Sequence, residues 1–235
     1  MFKIALTAGH YKYEAGKRCM KSLDPKETRE WVLNDRIADK VEKLLAANYT
    51  GYELLRTDDT TGEKNVPLAT RTSSANKFGA DFYLSIHHNA GINGGKGGGI
   101  VAYVYTNAIA ESVAWQKALY NALIETTGLK GNRVQPLAKA NLHECRETSM
   151  PAVLLELGFM DSPTDVPVIL TEKFADQCAE AIVKVLAERG KLEKKPKEPS
   201  KLYRVQVFAG SKAGAEEALK KAKAAGFADA FIKVE

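Results

Sequence analysis

Three short apolar runs in this chain each carry, or end in, a side chain that a hydrophobic core would normally reject. Phe2-Lys3-Ile4-Ala5-Leu6-Thr7-Ala8 stops at Gly9-His10. Asp81–Ile86 stops at His87-His88-Asn89, and Pro151-Ala152-Val153-Leu154-Leu155-Glu156-Leu157 holds a carboxylate near its end. Runs this short and this apolar read as buried strands, and helical patterns lie between them. The alternation predicts an α/β domain with a mostly parallel, twisted sheet flanked by helices. Strand ends in such sheets project into the crevice where sites form. Three of the chain's four histidines (His10, His87, His88, His143) sit at these ends.

The other expected elements follow the same logic. A helix is predicted over Thr28–Ala47, with Leu33, Ile37, Val41 and Leu44 along one face. Tyr52–Leu55 and Ile100–Tyr105 read as strands; Leu68–Phe78, Ala108–Thr127 and Thr171–Arg189 read as helices. The run Gly94–Gly99 lacks the spacing of a phosphate-binding loop and no helix follows it, which excludes that reading. Residues 191–201, with two prolines, many charges and almost nothing apolar, read as an exposed linker. It separates a large domain (1–190) from a tail (202–235). In the tail, Tyr203–Ala209 and Ala230–Val234 are strand-like and Ala213–Ala225 is an alanine- and lysine-rich helix, a small βαβ unit.

Composition narrows the function classes. No apolar run approaches the ~18 residues of a membrane span, so no membrane insertion is expected. The N-terminal apolar run is too short for a signal peptide, and synthesis in the cytoplasm is expected. Cys19, Cys145 and Cys178 are odd in number and unpaired in spacing, which fits reduced thiols and excludes a Cys-x-x-Cys zinc site. The net charge of +5 belongs to residues 191–235, with eleven Lys/Arg against six Asp/Glu. That balance favours a polyanionic partner for the tail, a cell-wall polymer or nucleic acid, against the plainer reading of a solvated linker and helix.

His10, His87 and Glu30, the last at the start of the first long helix, are residue types that bind zinc; three protein ligands with one open position make a catalytic site. Glu156, charged in an apolar strand, has the character of a general base beside a metal. Residue types and spacing leave open both a metallohydrolase and the commoner case of histidines satisfied in a core or on a surface. A Cys145–His143 nucleophile pair has no supporting signature.

The order and wording of the motifs go further. Ala8-Gly9-His10, Glu30 four residues before Asn34, Leu68-Ala69-Thr70-Arg71 with Ala75-Asn76 and Ala80-Asp81, Ser85-Ile86-His87-His88-Asn89 and Pro151–Phe159 recur along nearly the whole large domain. In this, residues 1–190 resemble the zinc-dependent N-acetylmuramoyl-L-alanine amidases of the amidase-3 family of autolysins and phage endolysins. The resemblance implies one zinc (Zn2+) per chain on His10, Glu30 and His87, with Glu156 as catalytic carboxylate. It implies hydrolysis of the amide between N-acetylmuramic acid and L-alanine in peptidoglycan, and action on the wall after release by cell lysis or through a holin pore. Glu27 competes with Glu30 as ligand; the Asn34 spacing favours Glu30. The family usually has Asp-Pro before Gly-His and a small residue between His and Asn, where this chain has Thr7-Ala8 and His88. Successive strand side chains face opposite ways, so His88 should not join His87 on one metal. It is expected behind the ligands, facing substrate, or at the surface. His143 and Arg133 are candidate substrate contacts, while Arg71 and Arg56 fit structural roles.

The tail resembles half of a sporulation-related repeat (SPOR) domain, a peptidoglycan-binding module, through Tyr203-Arg204-Val205-Gln206-Val207-Phe208-Ala209-Gly210 and Ala230-Phe231-Ile232. A unit of about 35 residues can hardly bury a core alone. A homodimer through this module, binding peptidoglycan rather than nucleic acid, is therefore expected. Rival readings are a non-catalytic peptidoglycan binder and a zinc exopeptidase.

Overall fold

Along the buried central strands successive side chains enter two different cores, one on each face of a single sheet. The computed structural model describes residues 1–196, 210–227 and 230–232. In β1 (Phe2–Ala8), Ile4, Leu6 and Ala8 point into the larger core, while Ala5 points into a smaller one. The chain continues through α1 (Glu30–Asn48), β2 (Tyr49–Thr50), β3 (Tyr52–Arg56), α2 (Leu68–Phe78), β4 (Phe82–Asn89), β5 (Ile100–Tyr105) and α3 (Ala110–Thr127). It goes on with β6 (Leu137–Ala140), α4 (His143–Arg146), β7 (Ala152–Phe159), α5 (Val166–Ile169), α6 (Glu172–Arg189) and β8 (Glu193–Lys194). A second unit, Pro196–Glu235, contains α7 (Lys212–Ala224).

The sheet order is β3-β1-β4-β7-β5-β6. The first four strands are parallel; β5 runs antiparallel to β7 and parallel to β6. The reversal has a simple cause. A parallel return needs a crossover of about a dozen residues or more, usually a helix, and residues 90–99 between β4 and β5 contain no helix. Helices α1, α3 and α6 pack together over one face, where Phe82, Leu84, Ile86, Val153, Leu155 and Leu157 fill the larger core. Helices α2 and α4 lie over the other face, with Ala5, Ala75, Tyr83 and Ala152. By alternation, Ser85, His87 and Glu156 also point to the α2–α4 face.

Several boundaries differ from the sequence expectation. Strand β4 continues through His87 and His88 to Asn89, with an irregularity in its pairing to β7 after His87. Strand β6 and helices α4 and α5 are short and carry too little periodicity to be recognised. The linker does not begin at Lys191. Glu193 and Lys194 pair with β2, and the Lys195 N–H donates to the Asn48 carbonyl (2.8 Å). Of the tail, the expected helix is present as α7. The expected strand Tyr203–Ala209 lies outside the described residues, and Ala230–Ile232 are in no strand among the described residues.

One buried cation ties the site's first loop to this frame. Arg71 on α2 is 2% exposed. It donates to Thr7 Oγ1 (2.8 Å), the Ala8 carbonyl (2.7 Å), the His10 carbonyl (2.9 Å) and the Val66 carbonyl (3.0 Å). Replacing it with Met keeps most of the volume but leaves these acceptors buried and unmatched, at about 1–3 kcal/mol each. Arg71→Met is expected to lower unfolding free energy by roughly 3 kcal/mol or more, given that cost per acceptor. Urea unfolding checks this, and a loss under about 1 kcal/mol would remove Arg71 from the frame.

Candidate metal centre and active site

The site begins where β1 ends. The Gly9 N–H donates to the Ile86 carbonyl (2.9 Å) and keeps the chain beside β4 for one more residue. His10 then turns into the left-handed region, with φ 67°. A non-glycine residue there costs of order 1 kcal/mol or more and persists when its surroundings hold it. Here Arg71 holds the His10 carbonyl and Asn34 Nδ2 holds the Gly9 carbonyl (3.1 Å). Gly9 is required for a different reason: a Cβ at that position would clash with the Nδ1, Cε1 and Nε2 atoms of the His87 ring. The two imidazoles meet edge to face, with centroids 4.9 Å apart.

Glu30, the first residue of α1, brings a carboxylate between them and is 1% exposed. Its Oε1 lies 3.2 Å from His10 Nε2 and 3.1 Å from His87 Nδ1, and it accepts the His88 backbone N–H at 3.2 Å. Oε2 has no hydrogen-bond partner among the described residues; the nearest cation is Lys17 Nζ, at 3.8 Å. Burial pushes the Glu30 carboxyl up, but hydrogen bonds from His10 and His87 outweigh it and hold it well below the carboxylate range. Burial lowers the His87 pKa, and Glu144 and Glu30 more than reverse this, so its net shift is upward.

Two imidazoles and a carboxylate converging on one point are a set that could hold a metal ion. Their ligand atoms lie within 4.8 Å of one another. Ligands ~2.0–2.1 Å from a tetrahedral zinc stand roughly 3.3–3.4 Å apart, close to the separations around Glu30 Oε1. The unpartnered Glu30 Oε2 fits as well, since a buried carboxylate oxygen without a donor is satisfied by a cation. The far nitrogens of both rings face carboxylates. His10 Nδ1 is 2.8 Å from Glu14 Oε2, and His87 Nε2 is 3.6 Å from Glu144 Oε2.

Glu156 sits on β7 directly beside His87 in the parallel register. Burial, and then the charge of Glu30, push its pKa up to about 7 against the opposing pull of His87, Lys17 and Arg133. Its Oε2 has no hydrogen-bond partner among the described residues. A cleft of about 380 Å³ opens over this group, lined by His10, Glu14, Lys17, His87, His143, Glu144 and Glu156 among others.

The structure thus brings His10, Glu30, His87 and Glu156 together. His143 lies on the cleft wall, with Nε2 3.4 Å from Thr72 Oγ1. Arg133 stacks over the Phe159 ring at 4.7 Å. The expectation that His88 faces substrate or the surface is corrected. It is 2% exposed and turned to the α1 face, with Nδ1 2.8 Å from Asn34 Oδ1. Alternation along β4 forces this once His87 faces the cleft. Glu27 points away and pairs with Arg18 (3.2 Å). Cys145 is buried and its thiol is pushed up to about 12 by burial, which removes it as a nucleophile. Two carboxylates escaped the sequence reading. Glu14 lies in a loop without periodicity; Glu144 lies on a four-residue helix with nothing in the local pattern to flag it.

Comparison with known proteins gives a consistent picture. Residues 4–188 match the family model described as N-acetylmuramoyl-L-alanine amidase. The chain is 33% identical over 202 residues to a sporulation-specific N-acetylmuramoyl-L-alanine amidase of Bacillus subtilis, covering 85% of this chain and 74% of that one. It is 30% identical over 233 residues to the N-acetylmuramoyl-L-alanine amidase CwlM of Bacillus licheniformis, covering 99% of this chain and 85% of the relative. Among solved structures, the catalytic domain of the amidase CwlV from Bacillus (Paenibacillus) polymyxa superposes with a TM-score of 0.71 at 25% identity. That match covers 82% of this chain and all of that domain.

The close approach of Gly9 to His87 gives a test of the geometry. Gly9→Ala should displace the His87 ring and cost most of the divalent-metal binding, read as metal content after dialysis. Circular dichroism should stay near that of the unaltered protein, because the backbone at Gly9 needs no left-handed angle. Metal retained at one equivalent would show that His87 is not held against that glycine.

Proposed function

The chain belongs to the N-acetylmuramoyl-L-alanine amidase family, and from that premise we propose a zinc-dependent hydrolase acting on peptidoglycan. The bond cut is the amide between the lactyl group of N-acetylmuramic acid and L-alanine, and the outcome is lysis of the wall. The observation that carries this reading is an unpartnered carboxylate, Glu156, beside a His–Glu–His cation site in one cleft.

His10, Glu30 and His87 would hold the zinc. When bound, zinc supplies Lewis-acid polarisation of the scissile carbonyl and acidifies water. The chain's own residues do the rest. Glu156 takes a proton from the attacking water as the carbon–oxygen bond forms. It then returns that proton to the leaving L-alanine nitrogen as the carbon–nitrogen bond breaks, which balances the hydrolysis. His143, on the cleft wall, and Arg133, whose charge reaches Glu156, are assigned by this reading to polar and acidic groups of the stem peptide. A purely binding role would leave the Glu156 carboxylate, unpartnered at its buried Oε2, without a task.

The same reading assigns the tail to wall attachment as a half-length SPOR-like module that pairs with a second copy. What supports it is exposure: α7 buries no residue, and Phe227 and Phe231 are 68% and 70% exposed. No helix among the described residues is long and apolar enough to cross a membrane. Access to the wall by cell lysis or through a pore is part of the proposal.

Glu156→Gln should lower turnover by roughly 10²–10⁴-fold or more, the usual contribution of a proton carrier, while bound zinc stays at one per chain. Turbidity loss of purified walls, with and without chelator, measures the rate. Mass spectrometry of the digest should show free L-alanine amino termini. Release of single amino acids instead would indicate an exopeptidase, and near-normal activity of Glu156→Gln would remove that residue from the chemistry.

Light scattering tests the tail. The full chain should run as a dimer at micromolar concentration, and a 1–195 truncation as a monomer. A monomeric full chain would end the pairing proposal.

A further inference from the structure

Glu144 is a buried carboxylate on the cleft wall that the reaction above does not use, and it is held on several sides. It is 3% exposed. Tyr83 Oη donates to its Oε1 (2.7 Å) and Ser85 Oγ donates to its Oε2 (3.0 Å). Tyr83, Ser85 and His87 are alternate residues of β4 and share the face toward α4. The side chain after these two hydroxyls is therefore His87 itself. Its Nε2 lies 3.6 Å from Glu144 Oε2 and has no hydrogen-bond partner among the described residues.

The two imidazoles are thus treated alike. Each presents one nitrogen to Glu30 and the opposite nitrogen to a second carboxylate: His10 Nδ1 to Glu14, His87 Nε2 to Glu144. A gap of 3.6 Å is slightly too long for a hydrogen bond, and a small rotation of the His87 ring about its Cβ closes it. An ionised carboxylate is expensive to bury. Two hydroxyl donors and a neighbouring imidazole set in its direction offset that cost only if the carboxylate stays charged. A simple cross-link between α4 and β4 would need no charge.

We propose that Glu144 is a positioning residue that accepts the His87 Nε2–H, fixes that tautomer, and so commits His87 Nδ1 to the metal. This rests on the reading of His87 as a zinc ligand. Hydrogen bonds of this kind orient a ligating histidine and raise its basicity. Their loss typically weakens metal binding about 10–100-fold.

The test uses zinc alone with the full chain. Competition against a chromophoric chelator should show Glu144→Gln binding zinc roughly 10–100-fold more weakly, as expected for losing an outer partner of a ligating histidine. Glu144→Asp should recover part of that loss. Nitrogen NMR of the zinc-loaded protein should show the His87 Nε2–H in the unaltered chain and a mixed or shifted signal in Glu144→Gln. Unchanged zinc affinity together with a lowered melting temperature of the metal-free protein would reduce Glu144 to a structural cross-link and overturn the proposal. So would X-ray absorption showing one fewer oxygen around zinc in Glu144→Gln, since Glu144 would then be a ligand. If Glu144→Gln does not fold, Ser85→Ala, which frees Glu144 Oε2, should shift the same His87 signal; no shift would overturn the assignment. His87→Ala separates the two readings. If it leaves zinc binding intact, the metal site itself is wrong. If it abolishes binding while Glu144→Gln has no effect, only the role of Glu144 falls.

Discussion

The Glu30 carboxylate, buried between two imidazoles, is the constraint around which this domain is assembled. Taking an ionised carboxylate out of water costs several kcal/mol after relaxation. The fold meets that cost with groups drawn from three elements: His10 after β1, His87 and the His88 backbone on β4, and the start of α1 itself. Each is fixed by something further out. Arg71 holds the left-handed turn at His10, Gly9 makes room for the His87 ring, and the β1–β4 register sets how far apart the two histidines stand. Because the carboxylate opens α1, helix and sheet cannot slide relative to each other without stripping it of partners.

The same cleft holds a second carboxylate in the opposite condition. Glu30 is surrounded by donors and sits well below the usual range; Glu156, half-buried and without a donor at Oε2, is raised to about 7. Part of that rise comes from Glu30, so the two are coupled: the better Glu30 is kept charged, the harder it is for Glu156 to ionise. Carboxylates pushed apart in this way take different tasks, one as a fixed charge and the other as a proton carrier. Their separation follows from topology. Glu156 is on β7 and Glu30 is at the foot of α1, and His87 stands between them on the intervening strand.

How much of this could be read from the residues varies with the physics involved. Strands β1, β4, β5 and β7 announce themselves through apolar runs, and α1, α2, α3 and α6 through their buried stripes. The candidate group of His10, Glu30, His87 and Glu156 is singled out by the family resemblance that the motifs carry. The antiparallel turn of β5 is set by a helix-free connection whose consequence appears only once β7 is seen to lie between β4 and β5. Strand β8 is two residues of a charged stretch and pairs through its backbone alone, so no side-chain pattern marks it. Glu14 and Glu144 reach the site through loops and a single helical turn. Their role depends on which way two imidazole rings are turned, and no linear pattern carries that.

His88 shows how one unusual residue can be absorbed by a site. Facing away from the cleft, it is buried, and burial lowers its pKa to about 3, so it stays neutral at any ordinary pH. A neutral imidazole can donate from Nδ1 to Asn34 Oδ1. That leaves Asn34 Nδ2 free to donate to the Gly9 carbonyl and, more weakly at 3.5 Å, toward Glu30 Oε1. Asn34 therefore links β4 to the backbone of the His10 turn and steadies Glu30 one helical turn away. A small apolar residue at position 88 would leave the Asn34 oxygen buried without a donor from β4, a loss of about 1–3 kcal/mol. The histidine thus supports Asn34 and, through it, Glu30, on the side of the sheet away from the cleft.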